Sequence, residues 1–130
     1  MNEGGEESCE AIDRTVLTSL RELQEEGDPD IIAEVGGLFL KHSPEKIAAI
    51  MKAAENGDAK GLQMAAHSLK SSSAYVGAMR LSAMSKELEQ MGRSQIMDGA
   101  NEKAKRLSAE YSRVMTALEA EIEQSTATRK

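Results

Sequence analysis

The last quarter of the chain carries an apolar side chain every three or four residues: Ala100, Ala104, Leu107, Tyr111, Met115, Leu118 and Ile122. That is the period of a helix with one buried stripe, and it conflicts with the alternation of a half-buried strand. A long helix of this kind must lay its stripe against other elements, and the composition says which kind. Phe39, Tyr75 and Tyr111 are the only aromatics, there is no Trp, and eight Met are present, so Leu, Ile, Val, Ala and Met have to fill the core. Strands would draw on the β-branched and aromatic residues that are scarce here. The chain of 130 residues is therefore expected to form one all-α domain.

Cap and breaker residues divide it. Residues 1–11 read as a flexible acidic tail, 12–124 as the helical domain and 125–130 as a frayed end. Asp13 is a candidate N-cap for a helix bearing Val16, Leu20 and Leu23 that ends by Gly27. Asp28 with Pro29 predicts the start of the next, whose stripe is Ile31, Val35, Leu38 and Phe39. Ser43-Pro44-Glu45 repeats the cap-then-proline signature, so a restart or a kink is expected there. Ile47, Ile50, Met51 and Ala54 continue to Asn56-Gly57. Asp58 caps a helix running to about Val76, Gly77 stops it, and another follows from about Ala78 with Gly92 as its stop. The last begins near Asp98. Such short connections make neighbours antiparallel. The expected architecture is an up-down-up-down four-helix bundle from Ser43 onward, with additional short N-terminal helices.

The formal net charge is −6, from 16 basic and 22 acidic residues. That argues against nucleic acid and against anionic membranes as partners. The lone Cys9 excludes an internal disulfide framework and a cysteine zinc cluster, and points to a reducing, cytoplasmic setting. The charge is uneven. Between Asp58 and Arg93 five bases face three acids, a local excess of two positive charges.

That basic stretch contains the most informative face. On the helix from Asp58 to Val76, positions Leu62, Ala65, Ala66, Leu69, Ser73 and Val76 share a narrow arc, and His67 lies about 140° from its centre, toward water. Its neighbours three and four residues away, and one turn further, are Lys60, Gln63, Lys70, Ser71 and Ala74. An imidazole is a nucleophile near neutral pH without help from a second residue. A phosphoryl group joined to it brings two negative charges, which Lys70 is placed to offset, while small Ser71 and Ala74 admit a flat partner surface. His42, just before Ser43-Pro44, reads as a helix-end residue interacting with the dipole.

The run Ala66-His67-Ser68-Leu69-Lys70-Ser71-Ser72-Ser73-Ala74-Tyr75-Val76-Gly77-Ala78 resembles the signature of histidine-containing phosphotransfer (HPt) domains. Asp28-Pro29-Asp30 with Phe39-Leu40, the Asn56-Gly57-Asp58 break, and Leu81 with Lys86-Glu87-Leu88-Glu89 extend the similarity over roughly 12–120. The resemblance implies that His67 is the phosphoacceptor, exchanging a phosphoryl group with the aspartate of a response-regulator receiver domain, and that Lys70 stabilises the phosphohistidine. Gln63 matches a position where the family often places a polar neighbour. Ser71 departs from the usual Gly, which bears on partner preference.

The resemblance further implies a sensor or hybrid histidine kinase as a partner and a phosphocarrier without kinase activity of its own. No Gly-rich phosphate loop or kinase signature occurs in the sequence. No cofactor or metal is expected, and a monomer is. Lys60, Gln63, Ser71 and Ala74 are the candidate partner-binding residues. The competing reading is a non-phosphorylated helical adaptor that binds a receiver or a partner helix. A metal-carboxylate bundle enzyme would place Glu three residues before each His, and Phe39 and Met64 occupy those positions.

Overall fold

The inner stripes of four long helices meet in one core. The computed structural model describes residues 10–128 and, among them, five helices and no strand: α1 (Arg14–Glu22), α2 (Ile31–Asn56), α3 (Ala59–Tyr75), α4 (Met79–Ser94) and α5 (Ala100–Thr128). α3 packs on α2 and α4, and α5 closes the ring against α2 and α4, giving the expected antiparallel bundle. Leu62, Leu69, Leu81, Leu88, Leu107, Val114 and Leu118 are fully enclosed. Among them, Ser43 and Tyr111 satisfy each other through a 2.7 Å hydrogen bond.

Two bundle helices have the expected side-chain caps, with one shift in position. The Asp58 carboxylate accepts from Gly61 N at 2.9 Å and starts α3. For α2 the cap is Asp30, not Asp28, and Pro29 lies outside the helix. Asp30 accepts from the Ile32 and Ala33 amides and also from the Ser125 hydroxyl at 2.9 Å, whereas Asp28 accepts from Glu25 N in the preceding turn.

Several further expectations are revised, and of the restart or kink expected at Ser43-Pro44 the restart does not occur. α2 runs through Pro44 without a restart, because Phe39, Ser43, Ile47 and Ile50 form one buried stripe on both sides of it. Among the described residues one short helix precedes the bundle. His42 sits in mid-helix, away from any dipole end. α4 does not stop at Gly92 but continues to Ser94, with Gln95 as its left-handed cap at φ 61°. At the C-terminal end the helix persists through Thr128 rather than fraying from 125, since Ser125 is buried and bonded to Asp30 and Arg21. Most of the expected 1–11 tail lies outside the described residues, and Ala11 is buried within the core.

α1 covers the end of the bundle where α3 turns into α4. Asp13 N donates to Gly77 O at 2.7 Å, and Arg14 pairs with Glu121 at 2.8 Å. Gly77 sits at φ 84°, and a side chain there would meet the Asp13 carbonyl, so the turn needs glycine on both counts. This fixes the C-terminal end of α3.

Candidate functional site

α3 and α4 approach each other more closely than side chains normally allow. A Cβ on Gly92 would stand 2.5 Å from the Ala59 carbonyl and 2.7 Å from Gln63 N, so the backbone of α4 touches that of α3. One turn N-terminal of Gly92, Glu89 is thereby carried beneath the outward face of α3. Its side chain is only 3% exposed.

The Glu89 carboxylate gathers three donors from two helices. Oε2 accepts from His67 Nδ1 at 2.8 Å and from the Arg93 guanidinium at 2.9 Å; Oε1 accepts from Lys70 Nζ at 2.8 Å. The Lys70 ammonium, then the His67 ring, hold the carboxyl below its ordinary value of 4.5 against the opposing effect of burial. An ionised carboxylate only accepts, so Nδ1 of His67 carries the proton and the Nε2 lone pair is left free. Nε2 has no hydrogen-bond partner among the described residues, and the side chain is 62% exposed. The arrangement therefore presents one oriented nitrogen nucleophile to solvent.

His67 and Lys70, expected together from their spacing, are brought together through Glu89 rather than by direct contact. Glu89 and Arg93 join the site from a second helix, and spacing along α3 does not reveal them. Of the other candidates, Gln63 is half-buried against α4 and its backbone meets Gly92, so it helps set the helix spacing. Lys60 and Ser71 are exposed on the face of α3, and Ala74 is half-buried there. Met64, Tyr75 and, on α2, Leu38 add an exposed apolar rim, and a groove of about 500 Å³ opens between α2 and α3 beside Leu38, Phe39, Tyr75 and Val76. Among the described residues no group of three His, Cys, Asp or Glu is placed to hold a metal ion, and no helix is long and apolar enough to cross a membrane.

The chain has counterparts among known proteins. Residues 34–127 match the family model of the Hpt domain. The chain belongs to the Hpt domain family. Histidine-containing phosphotransfer protein 5 of Arabidopsis thaliana is 30% identical over 106 residues, spanning 79% of this chain and 68% of that protein. Histidine-containing phosphotransfer protein 2 of the same plant is 27% identical over 106 residues, with the same coverage. The crystal structure of histidine-containing phosphotransfer protein B (HptB) from Pseudomonas aeruginosa PAO1 superposes with a TM-score of 0.80 at 28% identity, covering 89% of this chain and 97% of that one. This Hpt protein is thus a histidine phosphotransfer protein of a two-component phosphorelay. Members of the family are phosphocarriers that work with histidine kinases and response regulators.

Proposed function

We propose that His67 is the phosphoacceptor and that it exchanges its phosphoryl group with the aspartate of a receiver domain. The observation that carries this reading is the 2.8 Å bond between His67 Nδ1 and the buried Glu89, which fixes the tautomer and leaves Nε2 as the nucleophile. Nε2 attacks the phosphorus of the receiver's aspartyl phosphate and forms a P–N bond. The P–O bond breaks and its electron pair returns to the aspartate carboxylate. Nδ1 keeps its proton, so the ring acquires a positive charge, which Glu89 faces. Lys70 is the cation for the phosphoryl oxygens.

The receiver docks over the outward face of α3, with Lys60 and Ser71 beside the ring, Gln63 and Ala74 at its edges, and the exposed apolar side chains Met64, Tyr75 and Leu38 extending the surface along α3 and α2. The chain acts as a cytoplasmic monomer, takes phosphoryl groups from a sensor or hybrid kinase by way of a receiver, and does not label itself from ATP. Neither nucleic acid nor membrane is a partner. A pure adaptor has no need of a buried carboxylate that orients an exposed ring, so the adaptor reading gains nothing from this geometry.

The test mixes the protein with a receiver phosphorylated on its aspartate. Label that is lost in acid and survives alkali should appear on the wild type and be missing from His67→Ala. Equal labelling of the two proteins rejects His67 as acceptor.

A further inference from the structure

Lys70 has two tasks that compete. In the unphosphorylated protein its ammonium sits on Glu89 Oε1 at 2.8 Å, yet the phosphoryl group on His67 needs the same cation. Glu89, at 3% exposure, has little water to replace a departing partner. Burial of a carboxylate whose counter-ion has left is strongly unfavourable. Something other than Lys70 must keep Glu89 satisfied at the moment of transfer.

The site holds one cation more than Glu89 requires. With a neutral ring, Lys70 and Arg93 contribute two positive charges against one negative. Adding a doubly charged phosphoryl group while the ring keeps its Nδ1 proton brings the cluster to neutrality, provided both cations remain in place. The two are mounted differently. Lys70 lies on α3, one turn from the ring, whereas Arg93 lies on α4, one turn beyond Glu89, and bonds the same oxygen as the ring at 2.9 Å. Its planar guanidinium has further donors and the fork geometry to span both carboxylate oxygens, which an ammonium lacks.

Resting on the reading of His67 as phosphoacceptor, we propose that Arg93 is a positioning residue for phosphoryl transfer: it takes over Glu89 as Lys70 swings to the phosphoryl group. Arg93 itself does not touch the phosphorus. Glu89 thereby stays ionised and keeps its bond to Nδ1 in both states, and Lys70 becomes available only because a second cation is fixed behind it. Arg93 is 57% exposed, so the fold does not depend on enclosing it. It also stands in the last turn of α4, where any cation is favourable to the helix dipole. That structural role makes a different prediction.

The experiment phosphorylates the full chain with phosphoramidate, a small donor that needs no partner, and follows the 15N resonances of the His67 ring and of Lys70 Nζ together with the lifetime of the phosphohistidine. In the wild type, phosphorylation moves the Lys70 signal while the Nδ1–H signature persists. In Arg93→Gln the Lys70 signal stays near its unphosphorylated position and the lifetime falls by about tenfold, the size expected for losing one charge-assisted bond. Arg93→Lys, which keeps the charge, recovers part of both effects. If label forms on His67 but Arg93→Gln matches the wild type in lifetime and in the Lys70 shift, the proposal is overturned while the phosphoacceptor stands. A variant in which only the melting temperature changes overturns it equally. Label that appears equally on His67→Ala removes the phosphoacceptor reading and this proposal with it.

Discussion

Replacing Glu89 with Gln isolates the charge under the histidine from its shape. The amide keeps nearly the same volume and one acceptor oxygen, so the bundle should still close. What changes is the product of attack, in which the ring holds its Nδ1 proton and a positive charge 2.8 Å from the former carboxylate. Hydrogen bonds to charged groups contribute about 1.5–3 kcal/mol and neutral ones about 0.5–1.5, so the loss is on the order of 1–1.5 kcal/mol. Expressed in the transition state, that is about a tenfold slower transfer. A second effect acts in the same direction. The amide has one acceptor where the carboxylate has two: with its oxygen on Lys70 at the Oε1 place, its NH2 takes the Oε2 place, faces Nδ1 and favours the tautomer with its proton on Nε2. The assay is rapid-quench transfer from a phosphorylated receiver, paired with 15N spectra of the ring. A rate within about twofold of wild type, with the Nδ1–H tautomer unchanged, shows that the charge of Glu89 does not assist transfer.

Other expectations follow from the same geometry. Lys70→Ala should remain folded by circular dichroism and show a phosphohistidine lifetime shortened by about tenfold, the scale of one lost charge-assisted bond; an unchanged lifetime removes Lys70 from the mechanism. Gly92→Ala forces a Cβ against backbone of α3 and should cost about 1–3 kcal/mol in urea denaturation while slowing transfer through displacement of Glu89. Gly37→Ala, at a helical position with nothing within 4 Å of the new atom, should instead stabilise by about 0.5–1 kcal/mol. Glu89 titrates below its ordinary value of 4.5, so its contribution is present above that pH and lost as the pH falls through the lowered folded value. The stability gap between wild type and Glu89→Gln in urea should therefore narrow as the pH falls below 4.5; a gap that stays constant contradicts the assignment.

The half of the site that lies on one helix is legible in the sequence. His67 and Lys70 are one turn apart, and the apolar arc of α3 settles which way they face. Glu89 is not, because nothing in local spacing joins residues 22 positions apart on different helices. A signal exists all the same. On α4 the residues Ser85, Leu88 and Gly92 are buried, and Glu89 stands on the inner edge of that stripe with Arg93 one turn on, an acid placed where water does not reach. Gly92 fails as a helix stop for a physical reason: glycine serves both as a terminator and as a point of close approach, and only the helix partner decides between them. The same ambiguity affects Asp28-Pro29-Asp30, where either acid can cap, and Ser43-Pro44, where tertiary packing of the stripe on both sides outweighs the lost backbone bond. The bundle itself is readable because its stripes are long and its connections short.

The proposed transfer places the phosphoryl group on one nitrogen of one histidine. The chain has two histidines, His67 over Glu89 and His42 on the exposed side of α2, which makes the claim directly measurable. The measurement is mass-spectrometric mapping of the phosphorylated residue, under alkaline conditions that preserve phosphohistidine, after incubation with a phosphorylated receiver, with 15N spectra identifying the ring nitrogen. The expected product carries phosphate on a single residue, His67, at Nε2, with Nδ1 still bonded to Glu89. Phosphate found on His42, or on Nδ1 of His67, contradicts it.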